Sequence, residues 1–297
     1  MAISNSAMAI NVAPTDDANL LVNTILGTGI TTVSNIKYSG ASSASGTFTG
    51  GIFSGIGIEN GIVLTSGDAD LIDNSNDSDG ATRDNGLSGD ANLNALISPY
   101  VTYDATVLEF DFQSAGGDLF FNYVFGSEEY NEYTNSKYND VFAFFLDGTN
   151  IALIPGTAEP VSINTVNGGH PFGTDASNPD LYNNNDLNDG GPFFSFEYDG
   201  FTDVFTAMSL GLDPGFHHIK LAIADSGDHL LDSGVFIQAG TFSDTMTPSA
   251  PVPEPGTMLL LGIGLAGLAA ARRRHKRAHS SPVKFASLCF SRNNLTR

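Results

Sequence analysis

The chain has 297 residues, 41% of them hydrophobic, which is enough for one large β domain or two smaller ones with a packed core. Residues 1–250 carry 32 acidic and 4 basic side chains, a net formal charge of −28, and the other eight basic side chains follow. A body this acidic repels phosphate backbones and anionic lipid headgroups, which argues against nucleic acid as a partner. The single cysteine, Cys289, excludes an intramolecular disulfide.

Residues 1–9 are interpreted as the remnant of a truncated signal peptide. Ala7, Met8 and Ala9 have the small-x-small form of a signal peptidase site, although the segment lacks the basic and apolar parts of a complete signal. A disordered N-terminus is the alternative interpretation. The upstream reading frame decides between them.

Two helices are predicted. The first starts after Pro14 with Thr15 as N-cap and ends at Gly27. Its apolar residues form one stripe that suits packing on a sheet: Ala18, Leu21, Val22, Ile25 and Leu26. A second, shorter helix is predicted at residues 91–97, with Asp90 as its cap.

The remaining pattern is that of short strands separated by turns rich in glycine. Strands are predicted at residues 30–38, 46–53, 62–65, 108–112, 119–125, 141–146, 150–154, 161–164, 193–198, 204–210, 219–223 and 235–242. Many short strands with few helices predict an all-β fold, an antiparallel two-sheet sandwich of jelly-roll type. The strand at 141–146 is apolar on both faces, which predicts a central position in its sheet.

An acidic and tyrosine-rich segment connects the strands at 119–125 and 141–146. We call its candidate ligand residues the crest: Glu128, Glu129, Tyr130, Tyr133, Tyr138, Asn139 and Asp140. Aromatic rings and carboxylates of this kind suit the faces and hydroxyls of sugars. Residues 140–146 also resemble the central strand of legume-type lectins, with Val141 in place of a glycine. The adjacent pair Glu128 and Glu129 points to opposite faces of an extended chain, which favours a structural or ligand-holding role over catalysis.

Acidic loops predict calcium as the candidate cofactor in preference to zinc, because no His or Cys cluster has metal-ligand spacing. One loop alternates oxygen-bearing side chains from Asp73 to Gly80, and residues 183–190 do the same. The candidate ligands are Asp73, Asp77, Asp79, Asp225, Asp228 and Asp232. None of these loops has the spacing of an EF-hand. Nonspecific occupancy by divalent cations, drawn by the negative charge alone, is the alternative.

The C-terminal region changes character twice. Residues 244–255 form a Ser, Thr and Pro linker, and residues 256–271 contain a 14-residue run without polar side chains. This run reaches only about 21 Å as a helix, against the ~30 Å of a hydrocarbon core, so a short transmembrane helix is predicted. Arg272, Arg273 and Arg274 begin a basic tail, 272–297, which predicts a cytoplasmic tail and an exported body.

Residues 10–243 resemble the choice-of-anchor L domain, a bacterial surface module found with several kinds of cell-surface anchor. The resemblance is carried by FGSEEYNEY with NDVFAFFLDG, and by LLVNTILGTGITTVSN, GIVLTSG, TRDNGLSGDANLN, YDATVLEFDF and HIKLAIAD. Its biochemical role is poorly defined, so the resemblance implies a surface location without an activity.

The C-terminus resembles the PEP-CTERM sorting signal of Gram-negative bacteria. The matching parts are Val252, Pro253, Glu254 and Pro255, the short apolar helix and the arginine cluster. This resemblance implies export by the Sec machinery, a precursor anchored in the inner membrane, processing by an exosortase, and a mature form at the cell surface or outside the cell. The continuation to Arg297 departs from the usual pattern. A plain membrane anchor is the alternative.

Together these features predict a non-enzymatic structural or adhesive protein of the cell surface or extracellular matrix. A lectin-like module that binds exopolysaccharide is the second hypothesis, and a secreted hydrolase is the third. A binder requires a concave patch of exposed tyrosines, whereas a hydrolase requires two carboxylates that converge in a cleft.

Overall fold

The structure is a computed structural model that describes residues 9–73 and 75–248. The predicted signal remnant, except for Ala9, and the sorting motif, apolar helix and basic tail lie outside the described residues. Within the described part of the chain, no helix has the length and apolar character needed to cross a membrane.

The described residues form thirteen strands and three short α-helices. The strands are β1 (Asn11–Pro14), β2 (Ile30–Ser39), β3 (Ser45–Thr49), β4 (Asn60–Thr65), β5 (Thr102–Ser114), β6 (Leu119–Ser127), β7 (Val141–Leu146), β8 (Thr149–Asn150), β9 (Tyr182–Asn184), β10 (Gly200–Thr202), β11 (Phe205–Ser209), β12 (His217–Ser226) and β13 (Ser233–Gln238). The helices are α1 (Ala18–Ile25), α2 (Gly51–Ser54) and α3 (Ala91–Leu96). The prediction of a mostly β chain with few helices is confirmed.

The strands form two antiparallel sheets. The larger has the order β1-β3-β4-β13-β6-β10-β9, with β11 also paired to β6, and the smaller has the order β2-β5-β12-β7-β8. Successive strands from β4 to β7 alternate between the two sheets, and β12 and β13 do so again. The crest therefore leads from β6 in one sheet to β7 in the other.

The main core lies between the two sheets and is largely aromatic. Phe125 of β6 stacks on Phe142 of β7 with ring centroids 4.8 Å apart, and Tyr123 meets Phe144 edge-on at 5.0 Å. All six residues of β7 are buried, since Val141 and Ala143 pack on the opposite side in a cluster with Leu93. The prediction that this strand is buried on both faces is confirmed.

The two predicted helices are confirmed as α1 and α3, but the cap of α1 was predicted wrongly. Asp17, not Thr15, accepts hydrogen bonds from the backbone N–H groups of Asn19 and Leu20, at 3.0 and 3.2 Å. The chain is still extended at Thr15, because β1 pairs with β3 and the Thr15 N–H continues this pairing to Ser45. The predicted apolar stripe packs into the core, and Asp90 caps α3 as expected. The strand predicted at 46–53 was wrong beyond Thr49, because the chain forms α2 there.

Three predicted strands are absent or shortened, two of them because asparagine side chains take over the backbone hydrogen bonds. Asn185 accepts from the N–H groups of Phe193 and Phe194, and its Nδ2 donates to the carbonyls of Phe196 and Tyr198. Residues 193–198 are therefore an ordered loop. Asn150 ends β8 in a similar way, since its Oδ1 accepts from Phe144 and Ala152. Residues 161–164, also predicted as a strand, contribute only an isolated bridge, Val141 with Ser162.

The last described residues are fastened to the sandwich. Phe242 is fully buried and packs against Phe112 and Phe121, with centroids 5.0 and 5.3 Å apart. Ser243 exchanges backbone hydrogen bonds with Phe120, and Asn122 Nδ2 donates to the Thr247 carbonyl at 3.0 Å. The chain is thus part of the folded body as far as Thr247.

Candidate functional site

Six carboxylates meet at one end of the sandwich, which we call the acidic end. They are Asp104, Glu128, Asp140, Asp199, Asp225 and Asp232, and each is at most 3% exposed. Each lies within a strand near its terminus or next to one, and strands of both sheets contribute. The antiparallel pairing brings these termini together, so the fold gathers acidic residues that are far apart in the sequence.

Two of the six carboxylates hold the strand ends in place. Asp140 accepts from the Ser226 N–H at 2.8 Å and from the Ser233 hydroxyl at 2.7 Å, which joins the start of β7 to β12 and to β13 in the other sheet. Asp232 accepts from the Thr82 hydroxyl and from the Arg83 N–H, at 3.2 and 2.9 Å. These hydrogen bonds account for the positions of the two groups.

Other carboxylate oxygens at this end are buried and receive no hydrogen bond of good geometry, although the Ala81 backbone lies near Glu128 and the Ser66 side chain near Asp225. These oxygens are both side-chain oxygens of Glu128, both of Asp225 and Oδ2 of Asp199, together with one oxygen of the neighbouring Glu129. Among the described residues, no Lys, Arg or His forms an ion pair with them. A buried acceptor without a partner loses its hydration without compensation, so these groups require an explanation.

Burial and mutual repulsion disfavour the charged forms of these groups. Burial, and then the charge of Asp199, raises the pKa of Glu128 well above its usual range. Burial, and then the charge of Asp140, does the same to the pKa of Asp225. Burial raises the pKa of Asp199 to about 9, although its hydrogen bond from Asn76 acts in the opposite direction. Among the described residues, no basic side chain compensates the negative charge of Glu128, Asp199 or Asp225.

Three carboxylates beside Glu128 form a compact group, which we call the Asp199 cluster. Oxygen atoms of Asp79, Asp186 and Asp199 all lie within 4.8 Å of one another. Two asparagines hold them: Asn76 Nδ2 donates to Asp199 Oδ1 at 2.6 Å, and Asn188 Nδ2 donates to Asp79 Oδ2 at 2.6 Å. Donors thus fix the cluster from outside, while Asp199 Oδ2 has no donor.

A second group of possible metal ligands, Asp84, Asp104 and His229, is accounted for by hydrogen bonds within the protein. His229 Nδ1 lies 2.8 Å from Asp104, at hydrogen-bond distance, and 3.5 Å from Asp84. Asp104 also accepts from the backbone N–H groups of Asn85 and Leu87. All its acceptor oxygens are therefore occupied by protein donors.

The structure divides the crest into buried and accessible residues. Glu128, Glu129, Tyr130 and Asp140 are buried, and the Tyr130 hydroxyl donates to the Val166 carbonyl at 2.8 Å within the core. Asn139 accepts from the Asn164 N–H and fixes a loop. Tyr133 and Tyr138 meet edge-to-face at 5.3 Å and line a groove of about 310 Å³ with Glu129 and Asp228.

The predicted calcium ligands also lie at several different places. Asp73 accepts a hydrogen bond from the Val12 N–H of β1. Asp77 is exposed and lies near Glu197. Burial, and then the charge of Asp77, raises the pKa of Glu197 to about 7. Asp79 belongs to the Asp199 cluster, and Asp228 lines the groove. Asp225 and Asp232 lie in the acidic end. The loop at residues 73–80 therefore does not form one site. Of its candidate ligands only Asp79 contacts the loop at 183–190, through Asn188 and Asp186, while Asn76 donates to the Asn185 carbonyl.

Sequence reasoning did not select Asp104, Asp186 or Asp199 as site residues. Only part of a signal was present: Asp140 stands directly before the predicted strand at 141–146, whereas Asp199 and Asp232 stand before strands whose starts, Gly200 and Ser233, the sequence did not predict. Neighbouring strands of an antiparallel sheet start at opposite ends, so the strand pairing decides which of these carboxylates meet. The sorting motif 252–255 and the arginines 272–274 lie outside the described residues.

Comparison with known proteins gives two matches to families. The PEP-CTERM protein-sorting motif matches residues 251–274, which indicates an exported protein sorted through an exosortase. No curated protein and no solved structure shows significant similarity to the chain. The choice-of-anchor L domain matches residues 10–243, which is most of the chain and all but a few residues of the described part. The chain therefore belongs to the choice-of-anchor L domain family.

Proposed function

We propose that the exported body is a non-catalytic structural or adhesive component of the cell surface or extracellular matrix. The observation that supports this proposal is the burial of its converging carboxylates, since Glu128, Asp199 and Asp225 are each at most 1% exposed. A general acid or nucleophile must touch its substrate, and glycosidases place two carboxyl groups on either side of the bond that they cleave. Carboxylates sealed between strand ends cannot do so.

Two finer structural features belong to this proposal. A jelly-roll topology is supported by the alternation of β4, β5, β6 and β7 between sheets and by the central positions of β12 and β13. A short transmembrane helix at residues 256–271 would hold the precursor in the inner membrane until the exosortase acts. Its support is the apolar run followed by Arg272 and two further arginines.

The proposal is tested in cells that produce the chain with its sorting motif intact or with Pro253, Glu254 and Pro255 replaced by alanine. We expect the intact chain in the extracellular matrix fraction and the variant in the membrane fraction. Deletion of the gene should reduce the shear needed to disperse cell aggregates, and the Glu129→Gln variant should restore cohesion. Release of reducing sugar ends from the cells' own exopolysaccharide by the purified chain, lost in Glu129→Gln, would instead establish a hydrolase.

A lectin-like function is a second candidate, and the groove at Tyr133 and Tyr138 favours it. Tyr133 is 38% exposed, and both rings stand beside the carboxylates of Glu129 and Asp228. Aromatic faces next to hydrogen-bond acceptors are suited to sugar rings.

The Tyr133→Ala and Tyr138→Ala double variant tests this second candidate by exopolysaccharide pull-down. A lectin should lose at least tenfold in affinity, whereas the control Tyr100→Ala, which removes an exposed tyrosine elsewhere, should bind as the original chain does. Equal retention of all three proteins would remove the lectin hypothesis.

A further inference from the structure

We propose that the Asp199 cluster is a binding site for one calcium ion. The ligands would be oxygens of Asp79, Asp186 and Asp199, with Glu128 as a neighbouring buried carboxylate. This inference does not depend on the proposed surface function, since a cation could stabilise the fold in any role.

The first argument is the spacing of the oxygen atoms. Calcium binds oxygen at about 2.3–2.6 Å, so two ligands of one ion lie at most about 5 Å apart. Oxygens of Asp79, Asp186 and Asp199 meet this limit in every pair, being within 4.8 Å of one another. Three carboxylates at this distance repel one another strongly unless a cation lies between them.

The second argument is independent of the first and concerns unused acceptors. Asp199 is fully buried, and its Oδ2 receives no hydrogen bond, whereas its Oδ1 accepts from Asn76. Glu128, close to the cluster, is 1% exposed, and after burial the charge of Asp199 is the strongest influence that raises its pKa. Buried charges in proteins are paired or coordinate metals. Among the described residues no cationic side chain pairs with either group, so each must be protonated or lie beside a bound cation, and the spacing of the cluster favours the cation for Asp199.

The third argument selects calcium among the common metals. The proposed ligands are all oxygens, which excludes a preference for zinc or copper, since these metals favour imidazole and thiolate. Magnesium usually keeps several waters and takes one or two carboxylates in a strict octahedron, whereas calcium accepts more carboxylates in irregular geometry. Three carboxylates contributed by irregular loop segments therefore suit calcium better.

The surrounding hydrogen bonds fix the orientation of the carboxylates in the Asp199 cluster. Asn188 bridges two ligands, since its N–H donates to Asp186 Oδ1 and its Nδ2 to Asp79 Oδ2, both at 2.6 Å. The Asn131 N–H approaches the other oxygen of Asp186 at 3.4 Å. Donors behind metal-binding carboxylates orient them toward the ion, which is the usual role of such outer contacts.

The test uses the full chain purified in mild detergent, stripped with a chelator and then titrated with calcium chloride in a calorimeter and in thermal unfolding. We expect binding of calcium at the site with a rise in Tm, and a weaker response to magnesium chloride at the same concentration. Asp79→Asn, at the exposed ligand, should lower the calcium affinity at least tenfold while folding normally. Asp180→Asn is the matched control, because it removes an exposed aspartate outside the cluster and should leave the affinity unchanged.

Asp199→Asn adds a readout that general electrostatic screening cannot imitate. In chelator this variant should have a higher Tm than the original chain, because an amide replaces an unpaired buried carboxylate; in excess calcium the order should reverse. The proposal is overturned if the original chain shows no calcium-dependent rise in Tm, if magnesium acts as strongly, or if Asp79→Asn and Asp180→Asn bind calcium equally well.

Discussion

Replacement of Phe142 by alanine is expected to lower the free energy of unfolding by about 3 to 5 kcal/mol, the usual range for removing a buried aromatic ring. Phe142 is fully buried in β7, stacks on Phe125 at 4.8 Å and meets Tyr123 at 5.5 Å. The cavity would open between the two sheets, where neither sheet can close over it without distorting the other. Urea unfolding followed by circular dichroism measures the effect.

Phe216→Ala provides the matched control, since it removes the same ring from a side chain that is 57% exposed. We expect a change within about 0.5 kcal/mol, as for most surface substitutions. A similar loss of stability in both variants would contradict the assignment of the core to the space between the sheets.

The acidic end is expected to make the cation-free protein lose stability as the pH rises from 5.5 to 8.5. Burial raises the pKa of Asp140 to about 8 and that of Asp199 to about 9, from 3.8 in both cases. The folded chain therefore binds these protons more tightly than the unfolded chain does. Their stabilising contribution is fully present below pH about 4 and is lost as the pH rises toward the folded-state pKa values.

The size of the effect follows from proton linkage. Each such group lowers the free energy of unfolding by up to about 1.4 kcal/mol for every pH unit between its two pKa values. Urea unfolding of the full chain in chelator, repeated at several pH values, should show this slope. Asp140→Asn should reduce it, whereas Asp180→Asn should not. A stability that rises between pH 5.5 and 8.5 in chelator would contradict this prediction.

Local periodicity was sufficient to predict much of the fold. The apolar run at residues 141–146 gave the limits of β7, and the spacing of Leu21, Val22 and Ile25 gave the buried face of α1. These predictions succeed because a period of two or 3.6 residues depends only on neighbours in the sequence. Asp90 was predictable as a cap because its partners, the N–H groups of Asn92 and Leu93, are also close in the sequence.

The errors arose where distant side chains replaced local partners. The apolar segment at 193–198 has the composition of a strand, but Asn185 satisfies its backbone and leaves it a loop. The Asp199 cluster was not predictable as a unit, since Asp79 is held by Asn188, 109 residues away. The sequence identified acidic side chains in the loops at 73–80 and 183–190. The pairing of β6 with β10 and β13 decided which carboxylates meet.

The attachment of Phe242, Ser243 and Thr247 to the body determines what the exosortase can remove without damage. The matched sorting motif begins at residue 251, only a few positions after the last hydrogen bond that the structure describes, at Thr247. A cut at any bond within the motif would leave Phe242 in its aromatic pocket and Ser243 paired with Phe120. The mature product would then have the same thermal stability as its precursor, whereas trimming past Thr247 would begin to remove contacts with the body, first the hydrogen bond to Asn122 and then the pairing of Ser243.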